Sequence, residues 1–192
     1  IKRLLGISGK VGRKSRARLK EKIYSQLQFS DVKFYGYLID IGIIPNKSLV
    51  LKSIKIDPLY FYDFLRGVID GDGCISTWIN KSNSHRQWSL RITSAAPVFI
   101  QWFKKKIEEE FDINGKLYRY KYKGKKNPIY TLKFGKLAAK TILRRIYYQN
   151  ALTLNRKNKK STECLQDKSG MINYGNVLGP GAVIGSQVRL KI

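Results

Sequence analysis

The clearest hydrophobic pattern in the chain lies between residues 58 and 73. Four large apolar residues recur there at the spacing of one helical face: Phe61, Phe64, Leu65 and Val68. Asp57 and Pro58 precede them and are typical of a helix start, because Asp caps the first turn and Pro fits the first helical position. The pattern predicts a helix from about Pro58 to Asp70 with a buried stripe. Gly71 and Gly73 then predict a left-handed C-cap that ends the helix.

The segments that follow alternate between strand and helix patterns. Their periodicities predict two hairpins, each followed by a helix: strands 73–81 and 86–94, helix 97–111, strands 115–123 and 128–134, and helix 136–148. We expect helix 97–111 to bury Val98, Trp102 and Ile107 and to expose Lys104, Lys105 and Lys106. Helix 136–148 should bury Ala139, Ile142, Leu143 and Ile146. The resulting order, αββαββα, indicates an α+β fold.

Strand parity divides the first hairpin into two faces, because successive side chains of a strand point to opposite sides. One face is mostly apolar and predicted to be buried: Ile75, Thr77, Ile79, Trp88, Leu90 and Ile92. The opposite face is polar, aromatic and basic: Ser76, Trp78, Asn80, Gln87, Ser89 and Arg91. Such groups can bond base edges in the major groove of DNA. The alternative is an ordinary solvated face.

For the second hairpin, strand parity does not decide which face contacts nucleic acid, because both faces of its first strand carry basic residues. Leu117 belongs inside, which favours Lys116, Tyr118 and Tyr120 as the contact set on the first strand. On the partner strand, Tyr130, Leu132 and Phe134 are predicted to be core. Thr131 and Lys133 then point outward with the contact set.

An internal duplication connects the beginning of the chain with this second hairpin. Residues 5–11 resemble residues 111–117, and residues 23–29 resemble residues 129–134. The offsets, 116 − 10 = 106 and 134 − 29 = 105, are nearly equal. A third pair, residues 45–48 and 154–158, places Lys47 opposite Lys157 at 157 − 47 = 110. Repeats that keep one register indicate duplicated structural units.

The duplication predicts the organisation of the chain. Residues 1–52 are expected to be the end of a first unit, with a hairpin near 10–29 and a helix near 31–41. Residues 53–160 form a complete second unit, and residues 161–192 a loosely ordered tail. The first-unit counterpart of Asp72 falls at 72 − 106 = −34, and the chain opens with Ile1 rather than Met, so we expect a missing upstream helix. Five apolar residues of the first unit should then be partly exposed: Leu27, Phe29, Phe34, Tyr37 and Leu38.

Charge identifies the class of partner. The 192 residues carry 38 Lys and Arg against 13 Asp and Glu, a net charge of +25. That excess favours a polyanion, and its spread along the chain favours nucleic acid. No stretch has the roughly 20 consecutive apolar residues of a membrane span. Cys74 and Cys164 lack metal-site spacing, which indicates reduced thiols of an intracellular protein. A single histidine, His85, excludes nuclease chemistry built on paired histidines.

Two carboxylates stand where a helix end disfavours them. Asp70 and Asp72 lie at the predicted C-terminus, where the last carbonyl groups already carry partial negative charge. A divalent cation would compensate by binding carboxylate and carbonyl oxygens together. The alternative is a simple C-cap with two solvated carboxylates.

The run Leu65-Arg66-Gly67-Val68-Ile69-Asp70-Gly71-Asp72-Gly73 resembles the LAGLIDADG signature of homing endonucleases and their maturase relatives. Arg66 departs from the usual small residue. The resemblance implies a half-domain with a curved antiparallel four-stranded sheet that lies in the major groove of double-stranded DNA. It also implies that Gly67 and Gly71 pack against a second motif helix, from a missing N-terminal half or from another copy.

The resemblance further implies a sequence-specific DNA endonuclease that makes metal-dependent double-strand cuts, associated with an intron or an intein. Asp72 would hold Mg²⁺ together with oxygen from Gly71, whereas Asp70 is expected to be structural. Lys157 and Lys47 would stand near the catalytic centre, or alternatively position phosphates or lie on the surface. The alternative function is an RNA-binding intron maturase or a non-cleaving DNA-binding regulator with the same fold.

Overall fold

The computed structural model describes residues 2, 5–16 and 19–169. Within them the chain forms β1 (Val11–Arg16), β2 (Leu19–Leu27), α1 (Val32–Asp40), a 3₁₀ turn (Pro58–Tyr60), α2 (Phe61–Asp72), β3 (Gly73–Ile79), β4 (Arg86–Ser94), α3 (Pro97–Phe111), β5 (Lys116–Tyr120), β6 (Ile129–Phe134), α4 (Lys136–Ile146) and α5 (Asn155–Gln166). The order from α2 to α4 is the predicted αββαββα, in an α+β fold. The part of the predicted tail beyond residue 169 lies outside the described residues.

The second unit is built on one four-stranded antiparallel sheet in the order β3-β4-β6-β5. Its core face is the one predicted from parity on the two central strands, with Trp88, Leu90, Ile92, Leu132 and Phe134 all buried. The prediction is wrong at the far end of β3, where Thr77 and Ile79 are exposed. That end of the hairpin extends beyond the part of the sheet that the helices cover.

Helix α2 packs on this core through Leu65 and Ile69, which are fully buried. Asp57 caps the preceding turn as predicted, because its Oδ1 accepts a hydrogen bond from the Leu59 amide at 2.9 Å. Phe64 and Val68, predicted to be buried, are only half-buried. They lie beside the glycine face of the helix rather than over the sheet.

The predicted left-handed C-cap of α2 is wrong. The helix continues through Asp72, and Gly73 enters β3 directly with φ −76° and ψ 160°. Gly73 is needed for a different reason: a Cβ there would lie 2.7 Å from the carbonyl oxygen of Ile69. Helix and strand therefore join without a loop.

Helix α3 has the predicted bounds but a different buried stripe. Phe99, Ile100, Phe103 and Ile107 are buried, whereas Val98 is 52% exposed. Trp102 is half-buried, and so is Lys104, which forms an ion pair with Glu108 at 2.5 Å. The sequence contains two overlapping apolar stripes, and the one that includes Phe99 and Phe103 faces the core. In α4, by contrast, all four predicted core residues are fully buried.

Helix α5 was not predicted, and it crosses the expected boundary at residue 160. Its buried positions, Lys157, Ser161 and Cys164, follow helical spacing. The helix end is held by Asp167, which accepts hydrogen bonds from Trp88 Nε1 at 2.7 Å and forms an ion pair with Lys136 at 3.0 Å. Although burial opposes it, hydrogen bonds from Ser169, Lys136 and Trp88 hold the pKa of Asp167 well below its usual range.

The first unit contains the predicted hairpin and helix. Strands β1 and β2 form a separate two-stranded sheet, paired from Val11 with Leu27 onward. Helix α1 is capped by Asp31 but has no buried side chain. The five apolar residues expected to be exposed are half-buried or exposed, with Phe29 at 40% and Tyr37 at 59%. None of the helices in the described part of the chain is long and apolar enough to cross a membrane.

Candidate nucleic-acid interface

The sheet face opposite the core brings the predicted contact residues of four strands together. The register places Cys74 beside Arg91, Arg91 beside Lys133, and Lys133 beside Lys116. Parity then assigns the predicted residues to this face: Ser76, Trp78, Gln87, Ser89, Arg91, Lys116, Tyr118, Tyr120, Thr131 and Lys133. We call it the basic face.

Two members of the predicted set have polar side-chain atoms engaged within the hairpin. Ser89 is only 2% exposed, and its hydroxyl lies 3.2 Å from that of Ser76. Asn80 lies past the end of β3, where its Oδ1 accepts hydrogen bonds from the amide and hydroxyl of Ser82 at 3.1 and 2.9 Å. Both side chains are therefore used inside the hairpin, which parity alone does not indicate.

The cations of the basic face are held in place by neighbours. The Lys133 ammonium lies 5.3 Å from the centre of the Trp78 ring, a cation–π geometry. The Arg91 guanidinium donates to Cys74 Sγ at 3.6 Å. The hydroxyls of Thr93 and Thr131 lie 3.3 Å apart between these strands. The face thus presents charged groups in fixed positions beside hydroxyls that can donate or accept.

Three tyrosines line one side of this face. The rings of Tyr118 and Tyr120 have centroids 6.2 Å apart at 24°, and those of Tyr120 and Tyr122 are 6.5 Å apart at 30°. We call Tyr118, Tyr120 and Tyr122 the tyrosine ladder. They border a groove of about 640 Å³ that Arg91 and Lys133 also line. Tyr122 was not among the predicted contacts, although its two-residue spacing from Tyr120 was a usable signal.

The chain segment that includes β5 and β6 carries charge of one sign. Between residues 113 and 162 the chain has fifteen Lys and Arg and no Asp or Glu. Six of these cations fall between residues 116 and 126, along and just beyond β5. Such a surface attracts phosphates over a Debye length of about 8 Å at physiological salt.

The two aspartates at the end of α2 occupy different environments. Asp70 is buried and accepts hydrogen bonds from Tyr147 Oη at 2.5 Å and from the Leu154 amide at 3.0 Å. Burial of Tyr147 and its hydrogen bond to Asp70 raise the pKa of Tyr147 above its usual value. Asp72 is exposed, and among the described residues its carboxylate receives no hydrogen bond or ion pair. Asp70 is structural, as expected, and Asp72 is available to a ligand.

The two duplicated lysines also differ. Lys157 is only 6% exposed, and its ammonium donates to the carbonyl of Gly73, next to Asp72. Burial lowers its pKa, and the charge of Arg156 adds to that effect. Lys47 is exposed in a turn and lines, with Asp72 and Gly67, a second groove of about 580 Å³. Both lie near the end of α2, but only Lys47 presents its side chain to a groove.

Arg66, where the signature normally has a small residue, connects α2 to the region after α4. Its guanidinium donates to the carbonyls of Leu152 and Ile146, both at 3.0 Å, and pairs with Asp63 at 2.5 Å. It also lies 5.0 Å from the centre of the Tyr148 ring. Because α4 ends at Ile146, the substitution supplies a cation at a helix C-terminus, where positive charge is favourable.

Comparison with known protein families identifies the type of domain that contains this face and α2. Residues 62–154 match the family model described as a LAGLIDADG-like domain. This region of the chain is a LAGLIDADG-like domain. The matched region runs from the motif helix through the whole sheet and α4, and it confirms the resemblance carried by residues 65–73. Among curated proteins, none matches the chain.

A LAGLIDADG-like domain supports a homing endonuclease or maturase-type family for this region. Its motif helix is open along the glycine face: a Cβ built at Gly67 or Gly71 meets no atom within 4 Å. Packing within the described chain therefore does not require glycine there. The predicted contact with a second motif helix stays a prediction.

The C-terminal end of the motif helix carries one exposed carboxylate, that of Asp72. In the described ranges, no three His, Cys, Asp or Glu side chains come together as a metal cluster. Asp72 is therefore not part of a complete all-protein site. Gly71, predicted as a second oxygen ligand, lies within the helix.

Proposed function

We propose that this LAGLIDADG protein is a sequence-specific, Mg²⁺-dependent endonuclease acting on double-stranded DNA inside the cell. The observation that carries the proposal is the position of Asp72. Its exposed carboxylate ends α2, and Gly73 and Cys74 continue directly into the basic face. A phosphate held on that face by Arg91 would lie close to the carboxylate, since Arg91 pairs with Cys74 in the sheet.

One carboxylate fits the way Mg²⁺ is usually held. This ion keeps several waters and is bound through one or two carboxylates plus phosphate oxygens of the substrate. When bound, it supplies charge stabilisation on the phosphoryl group and a more acidic water. Asp72 is the residue that would hold it, and its carboxylate accepts no competing hydrogen bond from any residue that the structure describes, which supports that role.

The other residues of the site would bind the nucleic acid and hold the elements around Asp72 in position. Arg91, Lys133 and Lys116 lie in one row across the sheet, where they can contact successive phosphates or guanine edges. Lys157 holds the junction of α2 and β3 through the Gly73 carbonyl. Lys47 faces the groove beside Asp72 and can offer a second positive charge there.

A double-strand cut requires two such centres. The open glycine face of α2 supports pairing with a second motif helix, from a longer chain or from another copy. Half-buried Phe64 and Val68 line the groove beside that face and would be covered by the pairing. Two carboxylates would then lie at neighbouring helix ends, one for each strand of the duplex.

The test begins with selection of a binding site from a randomised duplex library, followed by incubation of the selected duplex with Mg²⁺. The Asp72→Asn variant should lose cleavage by at least about a thousandfold and keep its affinity within about threefold, because an acidic ligand is removed without changing the basic face. Asp40→Asn, which removes an exposed carboxylate on α1, is the matched control and should keep both.

The outcomes separate the candidate functions. Cutting by Asp72→Asn at the wild-type rate would show that Asp72 is not the metal ligand. Tight duplex binding without any cut by the wild-type chain, alone or paired, would favour a non-cleaving regulator. Stronger binding to structured intron RNA than to any selected duplex would favour the maturase alternative.

A further inference from the structure

We propose that the tyrosine ladder is a binding site for unpaired bases of a single-stranded nucleic acid. The rings of Tyr118, Tyr120 and Tyr122 are nearly parallel, with centroid separations of 6.2 and 6.5 Å. A base stacked on both sides needs about twice the roughly 3.4 Å base spacing of a duplex strand, or about 6.8 Å. The two centroid separations are a few tenths of an ångström shorter than this value, so a change of the side-chain torsions that separates the ring planes would admit a base between each pair.

The three rings are accessible, and two of them are attached to a rigid support. Their exposed fractions are 37%, 45% and 56% from Tyr118 to Tyr122. Tyr118 and Tyr120 project from β5, whose neighbour β6 carries the fully buried Leu132 and Phe134. Exposed aromatic rings on a fixed strand are the usual platform for unpaired bases.

The groove beside the ladder has the polar groups that a nucleotide needs. Arg91 and Lys133 line it and can contact the phosphates. Thr93 and Thr131 line it as well, with hydroxyls that can bond base edges. Its volume of about 640 Å³ falls in the range of small-ligand sites. The six cations between residues 116 and 126, along and just beyond β5, add to the attraction for a phosphate backbone.

The ring faces favour unpaired bases over a duplex. A duplex presents only base edges in its major groove, and its own stacking leaves no gap for a ring. Duplex binding would use the tyrosine hydroxyls and leave the faces in water. Unpaired bases can use both faces of each ring, which contributes about 1–3 kcal/mol per base in comparable proteins.

This inference is independent of Asp72 and of metal, so it can fail or hold separately from the proposed function. Its test measures fluorescence anisotropy in EDTA with labelled dT12, with U12 and with a 12-residue abasic strand that keeps the phosphates. Wild type should bind dT12 or U12 at least about tenfold more tightly than the abasic strand. Equal affinity for base-containing and abasic strands would overturn the proposal.

Variants test whether the preference for base-containing strands depends on the tyrosine ladder. Replacing all three tyrosines by Ala should abolish the preference for bases, whereas replacing all three by Phe should retain it, because the rings remain. Tyr35→Ala with Tyr37→Ala, two exposed tyrosines of α1, is the control and should retain it. A preference that survives the triple Ala change, or disappears in the triple Phe variant, would contradict stacking on the ladder.

The two base-containing strands distinguish the source of the ligand. Tighter binding of U12 than of dT12 would identify RNA through its 2′-hydroxyls. The reverse, or equal affinity, would identify displaced DNA strands as sufficient ligands. Stacking on the tyrosine ladder is decided by the comparison with the abasic strand, whichever of these two strands binds more tightly. Metal-dependent cleavage of a selected duplex is scored separately, so its failure would affect only the proposed function.

Discussion

Helices α1 and α4 follow equivalent hairpins in the two repeats, yet they are packed very differently. Helix α1 has no buried side chain, whereas α4 buries five: Ala139, Lys140, Ile142, Leu143 and Ile146. Helix α4 lies against α2, α5 and the sheet. Helix α1 follows a sheet of only two strands, and two strands do not provide an apolar face sufficient for a core.

The same contrast holds at single positions. Gly115 is confined by the rings and methyls of the core, whereas its counterpart Gly9 is not. Lys157 is buried beside Gly73, whereas its counterpart Lys47 is exposed. The energy that equivalent residues contribute thus depends on which elements surround them.

The largest expected effect compares Leu143 with Leu38, related by 143 − 38 = 105. Leu143→Ala should lower the free energy of unfolding by about 2–5 kcal/mol, because Leu143 is fully buried. Leu38→Ala should cost less than about 1.5 kcal/mol, since Leu38 is only half-buried. Urea unfolding followed by far-ultraviolet circular dichroism, which reports on the helices of both units, measures both. Equal losses would mean that α1 is packed as tightly as α4.

A smaller difference is expected between Gly115 and Gly9, related by 115 − 9 = 106. A Cβ at position 115 would lie 2.6 Å from Phe134 Cε1 and 2.9 Å from Leu132 Cδ1. Gly115→Ala should therefore cost about 1–3 kcal/mol through overpacking. Gly9→Ala meets nothing closer than 3.4 Å and should stay within about 0.5 kcal/mol of wild type. Comparable melting temperatures for the two variants would contradict the contrast.

The smallest effect concerns pH and the two lysines. Burial lowers the pKa of Lys157 below 10.5, so the unfolded chain binds its proton more tightly than the folded chain. The penalty applies in full below both pKa values and is relieved as the pH rises towards 10.5, which increases stability. Over that pH range, the free energy of unfolding of the wild type, measured with urea, should increase relative to that of Lys157→Met.

Lys47→Met is the matched control for this measurement, because it removes the same charge at an exposed site. The difference between the Lys157→Met and Lys47→Met curves should grow with pH. A constant difference from pH 7 to 10.5 would show that the Lys157 ammonium is not desolvated in the folded protein.

Periodicity predicted most of the fold because most elements are amphipathic. The bounds of α3 and the core residues of α4 follow directly from apolar spacing. Helix α5 was missed because its buried face is made of Lys157, Ser161 and Cys164, which periodicity in apolar residues does not detect. The α3 stripe was wrong because two overlapping stripes exist and only the packing selects between them.

The candidate site was predictable where it depends on parity and on the motif. Parity predicted eleven contact residues, ten of which lie on one face of the sheet, and the motif singled out Asp72. Parity could not show that Ser89 is covered, since burial depends on the neighbouring strands. The separate environments of Asp70 and Asp72 depend on Tyr147 and Leu154, which are distant in sequence and carry no local signal.

The direct junction of α2 and β3 restricts where the length of this chain can change during evolution. One residue inserted after Asp72 would shift β3 by one position and exchange its core and contact faces. A residue inserted within α2 would rotate Asp72 by about 100° around the helix axis. Insertions and deletions should therefore be tolerated in the turn at residues 80–85 and in the loop at residues 121–128. Related chains would then vary in length at the outer ends of the hairpins, while the distance from the motif to the first strand stays fixed.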